Sequence, residues 1–428
     1  MNILLRIPYA AAGAVARAAA GLAPPGGGKL RASLRARRGI RARFAAWGAT
    51  GRDTQRPLVW LHAPSVGEGL QARPVIARLR ERRPELQIAY TFFSPSAEKF
   101  ARTINADFCD YLPFDTAGDA RAAIDALRPT ALVFSKLDVW PVLAEVACAR
   151  GVPLGLISAT LSAASGRRSG VGALLLRDAY RALDAVGAIS SDDAARLQEL
   201  GVRGDRISIT GDARYDEASA RANAAGTKRA LLAPLESERP TLVAGSTWPT
   251  DEAPLFAAWR TVLERIPTAR LVIAPHEPVP AHLEAVQRWA AASGLRCATL
   301  DSSSASAADI VLVNRVGVLG DLYALADVAY VGGGFHSAGL HSVIEPAAFG
   351  APVLFGPRHT ASRDAALLLE CGGGFSVSSA DEIAARVLAL LNDPAARRTA
   401  GDRARALVEN GLGAAEKSAA LVERLLGR

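Results

Sequence analysis

The block HAPSVGEG, residues 62–69, follows a predicted strand directly and precedes QARPVIARLRERRPEL, whose Val75, Ile76 and Leu79 recur at helical spacing. Glu68 thus lies in a strand-to-helix loop. A carboxylate there can take a proton from a hydroxyl as a general base, or merely complement the positive end of a helix dipole. Gly67 and Gly69 would let backbone and substrate come close, and Ser65 could present a hydroxyl or cap the helix. In the second half, Gly245, Ser246 and Thr247 end a strand before a helix beginning near Asp251. Their amides and hydroxyls could hold a phosphate at the helix amino terminus, or serve only as caps. His276, in IAPHEP at 273–278, stands at another strand end, where it faces a ligand or stabilises a turn. The richest run is 330–357: Gly332, Gly333 and Gly334 end a strand, Gly339 and His341 follow, and Glu345 enters a short helix. Backbone amides in such loops meet phosphate and a carboxylate accepts ribose hydroxyls, although glycines needed for tight packing explain part of the pattern.

Other chemistries find no footing. The six histidines show no H-E-x-x-H or comparable ligand spacing, so no metal is expected. A Walker loop, a G-x-G-x-x-G after the first strand and a G-x-S-x-G elbow are missing, which argues against ATPase, dehydrogenase and serine-hydrolase readings and calls for no cofactor.

These loops need a scaffold, and the pattern supplies one. Short β-rich apolar runs alternate with longer helical segments, the signature of α/β proteins with parallel sheets. Seven candidate strands lie at 58–64, 87–94, 108–113, 131–136, 152–160, 185–191 and 207–211. After a polar, charged stretch the pattern restarts at 241–246, 270–275, 296–300, 309–314, 328–333, 352–357 and 374–377. The expectation is a Rossmann-like domain over 51–220, a linker over 221–240 and a second Rossmann-like domain over 241–428, with ligands at the carboxyl ends of the strands in a cleft between them. A chain of 428 residues with 50% hydrophobic and 21% charged residues has ample core, which excludes disorder and a polytopic membrane protein. Four cysteines lie far apart, as in a reducing compartment.

The net charge of +8 is unevenly placed: residues 1–52 carry ten Lys or Arg and no Asp or Glu, and the rest sums to −2. Residues 1–50 read as a membrane-associating basic arm. Ile3, Leu4, Leu5, Ile7 and Tyr9 offer apolar insertion, and seven bases from Lys29 to Arg43 attract anionic lipid, so residues 1–45 are expected to contact an anionic membrane surface. The apolar run is too short to cross a bilayer unaided. A cleaved signal peptide and a merely solvated tail are the competing readings. Nucleic acid is not expected as a partner, because the body of the chain is neutral.

Taken together, the ordered blocks resemble the bacterial 3-deoxy-D-manno-octulosonic acid (Kdo) transferases. The likeness runs through HAPSVGEGLQARP at 62–74, KLDVWP at 136–141, GDARYD at 211–216, VAGSTWPTDE at 243–252, LYALADVAYVGGGF at 322–335 and GLHSVIEPAAFGAPVLFGP at 339–357. The resemblance implies a GT-B fold, CMP-Kdo as donor, a lipid A precursor as acceptor, inverting and metal-independent transfer, and a place at the cytoplasmic face of the inner membrane, peripheral or held by one amino-terminal anchor. Carried over by position, Glu68 matches the family's catalytic base, with Ser65 and Gly67 as loop partners and Asp138, in place of a family Glu, on the acceptor side. Gly245, Ser246, Thr247, His276, Gly333, His341 and Glu345 match the donor side. The chain departs from the family pattern at Thr160 (usually Arg), Ser342 (usually Asn), Asp212 (usually Asn) and Arg214 (usually Lys). A GT-B enzyme using another nucleotide sugar and a catalytically degenerate membrane-surface adaptor are the alternatives.

Overall fold

The computed structural model describes residues 3–22, 28–163, 165–224 and 229–427. Two compact units form, one from Met1–Glu217 with Leu412–Arg428, the other from Ala218–Gly411.

The first unit is built on β1 (Leu58–His62), β2 (Gln87–Phe92), β3 (Phe108–Tyr111), β4 (Ala131–Ser135), β5 (Leu154–Ala159), β6 (Ala185–Ala188) and β7 (Ile207–Ile209). They pair in the order β3-β2-β1-β4-β5-β6-β7, every pair parallel. Parallel strands are covered on both faces, which is why LVWLH, ALVFS and LGLISA read as unbroken apolar runs and are buried at every position. The second unit repeats the plan with β8 (Thr241–Thr247), β9 (Arg270–Pro275), β10 (Cys297–Thr299), β11 (Ile310–Leu312), β12 (Val328–Val331), β13 (Val353–Phe355) and β14 (Gly374–Ser376), in the order β10-β11-β9-β8-β12-β13-β14. All fourteen expected runs contain a strand. Each sheet reverses its strand order in the middle, at β1/β4 and at β8/β12; in the second, β11 also lies between β9 and the edge strand β10. Loops leaving the carboxyl ends of such a pair diverge and open the crevice that α/β sheets use for ligands.

Several boundaries differ from the sequence expectation. The helix Ala414–Leu426 does not stay with the second unit: it inserts Leu421, Val422 and Leu425 into the core of the first, and Asp216 accepts from the backbone N–H groups of Gly413 and Ala415 at its start. Residues of the expected linker also serve a core, since Leu232 and Leu235 pack with Val243 and Val272.

The basic arm folds into α1 (Ile3–Leu22), α2 (Lys29–Ala36) and α3 (Ile40–Thr50). On α3, Phe44 is fully buried, edge-on to Trp60 at 6.1 Å and Phe108 at 4.8 Å. Gly48 approaches so closely that a Cβ would lie 2.5 Å from the Ala126 carbonyl oxygen. Many of the arm's charges are committed within the unit: Arg6 pairs with Glu145, Arg41 with Asp119 and Arg43 with Asp110, while Arg37 is buried. The Pro- and Gly-rich break at 23–27 lies outside the described residues, as do the side chains of Ile3, Leu4 and Lys29. Among the described residues, no helix is long and apolar enough to cross a membrane.

Candidate active site

In the first unit, β1 ends at His62 and α4 (Val66–Arg82) begins after Ser65, whose extended backbone marks the turn into the helix. Glu68 falls in the first turn of α4. Ser65 Oγ donates to one carboxylate oxygen, and Lys136 Nζ sits 3.0 Å from the other. Burial pushes the Glu68 carboxyl up, but the Lys136 charge and the hydrogen bonds from Ser65 and Lys136 outweigh it and hold the group below its usual range. The side chain remains 15% exposed and its ammonium partner 43% exposed, so the pair stands at the surface. Beside it, Gly67 faces open space, with Ser65 Oγ at 3.8 Å the nearest atom to a hypothetical Cβ. Gly69 is there for packing, since a Cβ would come 2.3 Å from Phe100.

The partner loop leaves β4, the other strand of the switch. Lys136 opens it with φ +64, a left-handed conformation uncommon outside glycine, held by its N–H donating to the Ile157 carbonyl at 2.9 Å. Two residues on, Asp138 Oδ2 accepts from Trp140 Nε1 at 3.0 Å and lies 3.3 Å from His62 Nε2. The Thr91 carbonyl, 3.0 Å from His62 Nδ1, fixes that nitrogen as a donor and turns Nε2 toward Asp138 and Trp140. Burial raises the Asp138 carboxyl, yet His62, Trp140 and Arg167 together bring it below its usual value. Ser65, Gly67, Glu68 and Asp138 therefore share the two loops of one switch point. Lys136, His62 and Trp140 were missed by sequence reasoning.

The second unit assembles an aromatic stack at its own switch point. Trp248, just beyond β8, stacks on His336 with centroids 4.1 Å apart and on His276 at 4.6 Å; His276 in turn stacks on His341 at 4.4 Å. Trp248 Nε1 donates to His341 Nε2 at 3.2 Å. Burial and the neighbouring His276 and His336 push His341 down to about 4, so it is neutral at physiological pH. Ser246 has φ +54 at a register shift between β8 and β9, which turns the strand end into a loop. The fully buried Asp251 ties the two loops together, accepting from the N–H groups of Trp248 (3.0 Å), Gly333 (2.8 Å) and Phe335 (2.9 Å).

The other expected donor-side residues have structural partners. Gly245 is needed because a Cβ would lie 2.1 Å from the Tyr323 hydroxyl, and the Thr247 hydroxyl donates to Glu252 at 2.7 Å. The Gly333 amide is committed to Asp251, leaving the residue to make a left-handed turn at φ +91. Glu345 is half-buried at the start of the helix Ile344–Ala348. Among the described residues, no cluster of three or more His, Cys, Asp or Glu side chains is arranged to hold a metal ion.

A family model described as 3-Deoxy-D-manno-octulosonic-acid transferase (kdotransferase) matches residues 38–217. The 3-deoxy-D-manno-octulosonic acid transferase of Bordetella pertussis is 31% identical over 402 residues, covering 90% of this chain and 91% of its own length. The chain belongs to the Kdo transferase family. That of Haemophilus influenzae is 27% identical over 386 residues, covering 86% of this chain and 87% of its own. Among solved structures, UDP-GlcNAc 2-epimerase from Neisseria meningitidis superposes with a TM-score of 0.63 at 15% identity, over 87% of this chain and all of that one. The protein is thus a glycosyltransferase with the two Rossmann-like domains of the GT-B fold.

Two of this Kdo transferase's departures from the family pattern answer each other. Asp212 and Arg214 are joined by hydrogen bonds of 2.9 and 2.6 Å, so acid and base replace amide and amine as a pair. The Thr160 hydroxyl donates to buried Asp193 at 3.0 Å, a helix-capping partner rather than an open site. Nothing in the structure explains Ser342.

Proposed function

We propose that the chain transfers Kdo from CMP-Kdo to a hydroxyl of a lipid A precursor, with inversion at the anomeric carbon and without a metal, at the cytoplasmic face of the inner membrane. The observation that carries this reading is the Glu68 carboxylate: ionised, partly exposed, at a strand switch and beside open space over Gly67. In this mechanism Glu68 takes the acceptor proton. Asp138, positioned by His62 and Trp140, lies on the acceptor side with Ser65 and Gly67. The second domain holds the nucleotide, with Trp248, His276 and His341 offering ring faces to the base and Ser246 and Glu345 polar edges to phosphate and ribose. As the anomeric bond breaks, charge builds on the departing phosphate, and the amino end of the helix Pro249–Arg265 stabilises it.

The test is incubation with CMP-Kdo and lipid A precursor, followed by mass spectrometry of the lipid. A product carrying Kdo supports the proposal. Turnover of UDP-GlcNAc instead would move the chain to another donor, and vesicle binding without turnover of either would make it an adaptor.

Lys136→Met checks how the base is kept ionised. Lys136 lowers the Glu68 carboxyl in the folded state, so its removal leaves burial, which raises it. Activity should then hold at pH 8 and fall severalfold at pH 5, as the acidic limb of the kcat/KM profile moves upward. An unmoved limb would show that another group governs it. By linkage, the stability this depressed carboxyl contributes is present above its unfolded value and is lost as pH falls through the folded one.

A further inference from the structure

An apolar groove of about 490 Å³ opens in the first unit between α1, α2 and the loops after β2 and β4, within the size range of small-ligand sites. Ala12, Gly13 and Ala16 of α1 and Leu34 of α2 line its walls, and Phe93 and Trp140, stacked with centroids 5.3 Å apart, line its base. The polar groups at its border are already engaged. Buried Arg37 donates to the carbonyls of Leu112 and Phe93 and to Ser33, and the Tyr9 hydroxyl donates to Asp115. What the groove offers a ligand is chiefly hydrocarbon-like surface.

Leu30, one of the groove's lining residues, is 74% exposed, and the helices that wall it also carry exposed cations, Arg17 on α1 and Arg31 on α2. The Trp140 ring lines the groove while its indole N–H reaches Asp138 and His62. The same loop carries Lys136 to Glu68. An occupant would thus lie against the ring whose N–H holds Asp138, on helices that carry exposed cations.

We propose that this groove binds one acyl chain of the anionic lipid that bears the acceptor hydroxyl, taking that chain out of the bilayer and fixing the hydroxyl's approach. This rests on the assignment of Glu68 and Asp138 to the acceptor side. Apolar walls exclude a sugar or a nucleotide, and the exposed Arg17 and Arg31 of the helices that wall the groove complement a phosphorylated headgroup. Small side chains on α1 leave the width that a methylene chain needs.

Two variants test it. Ala16→Phe fills the groove, and Leu30→Glu puts a negative charge at its mouth at a position too exposed to affect folding. Binding is read without turnover, as quenching of the emission that Trp140→Phe removes, using phosphatidylglycerol vesicles with dibrominated acyl chains. Wild type should be quenched at least about twofold more than either variant at equal vesicle occupancy. Equal quenching, or none, overturns the groove as a chain site whatever the reaction. Kinetics then assign the chain: both variants should raise KM for an acylated lipid A precursor about tenfold or more and leave KM for its deacylated disaccharide unchanged. Quenching with no change in either KM would mean a bulk membrane lipid, and equal changes for both acceptors would mean a structural defect; either overturns the proposal. If neither acceptor is glycosylated, the proposed reaction fails, while the quenching result still decides whether the groove takes a chain. Self-association without lipid that Leu30→Glu abolishes would instead make the groove a contact between copies.

Discussion

Glu68→Gln should cut transfer by about 10²–10⁴-fold, the usual worth of a positioned general base, with KM for the nucleotide donor unchanged. Gln has the same shape and can still accept from Ser65 Oγ, so α4 should start as before. What disappears is the charge. The acceptor hydroxyl then loses the carboxylate proposed to receive its proton as the new bond forms. Lys136 loses its partner but is 43% exposed, so water replaces the carboxylate and folding stability should change by less than about 1 kcal/mol. The pH profile gives a second readout: residual activity should lack the acidic limb assigned to Glu68. Full activity in the variant would remove Glu68 from the chemistry. Glu68→Asp separates charge from reach, because it restores the anion one methylene short and should recover only part of the lost rate.

The scaffold was legible because parallel strands buried on both faces must be apolar at nearly every position. Runs such as LVWLH and RLVIAP, spaced by helical segments, leave little choice of fold. Partnerships were less visible. The period of Leu421, Val422 and Leu425 shows that the last helix buries a face, but periodicity cannot say against which core, and it returns to the first unit. The arm's pairings within its own unit were hidden in a similar way. A count of charges cannot show that Arg41 and Arg43 find Asp119 and Asp110.

In the site itself, Glu68 and His341 stood out as polar residues in glycine-bearing segments that follow strands. Lys136 did not, because a lysine closing a strand reads as a solvated end; its contact with Glu68 depends on a left-handed φ that only the folded loop imposes. Trp248 and His336 escaped for another reason. Their stack joins residues 88 positions apart across two strand ends, and no local spacing encodes it.

Asp251 shows how strongly such a distant tie can matter, and its removal should have the largest effect on stability. Sequence reasoning placed it at a helix start, where an acid is ordinary. In the structure its fully buried carboxylate accepts three backbone N–H groups, one from its own turn and two from the glycine-rich loop beyond β12. Asp251→Ala strands all three donors. Each buried N–H left without a partner costs about 1–3 kcal/mol, and some water entry will offset the sum, so a loss on the order of 3–5 kcal/mol is expected. Asp251→Asn keeps one acceptor oxygen and sets an NH₂ against a backbone donor, so its loss should be smaller. The damage should be local at first: hydrogen exchange should speed up at Gly333 and Phe335 while amides of β1 and β4 stay protected. Because the same tie holds the backbone of Trp248 in register with Gly333, nucleotide affinity should fall together with that protection. Unchanged exchange at residues 333 and 335 would mean that the loop is held by its glycine packing alone, and that the carboxylate serves only the helix.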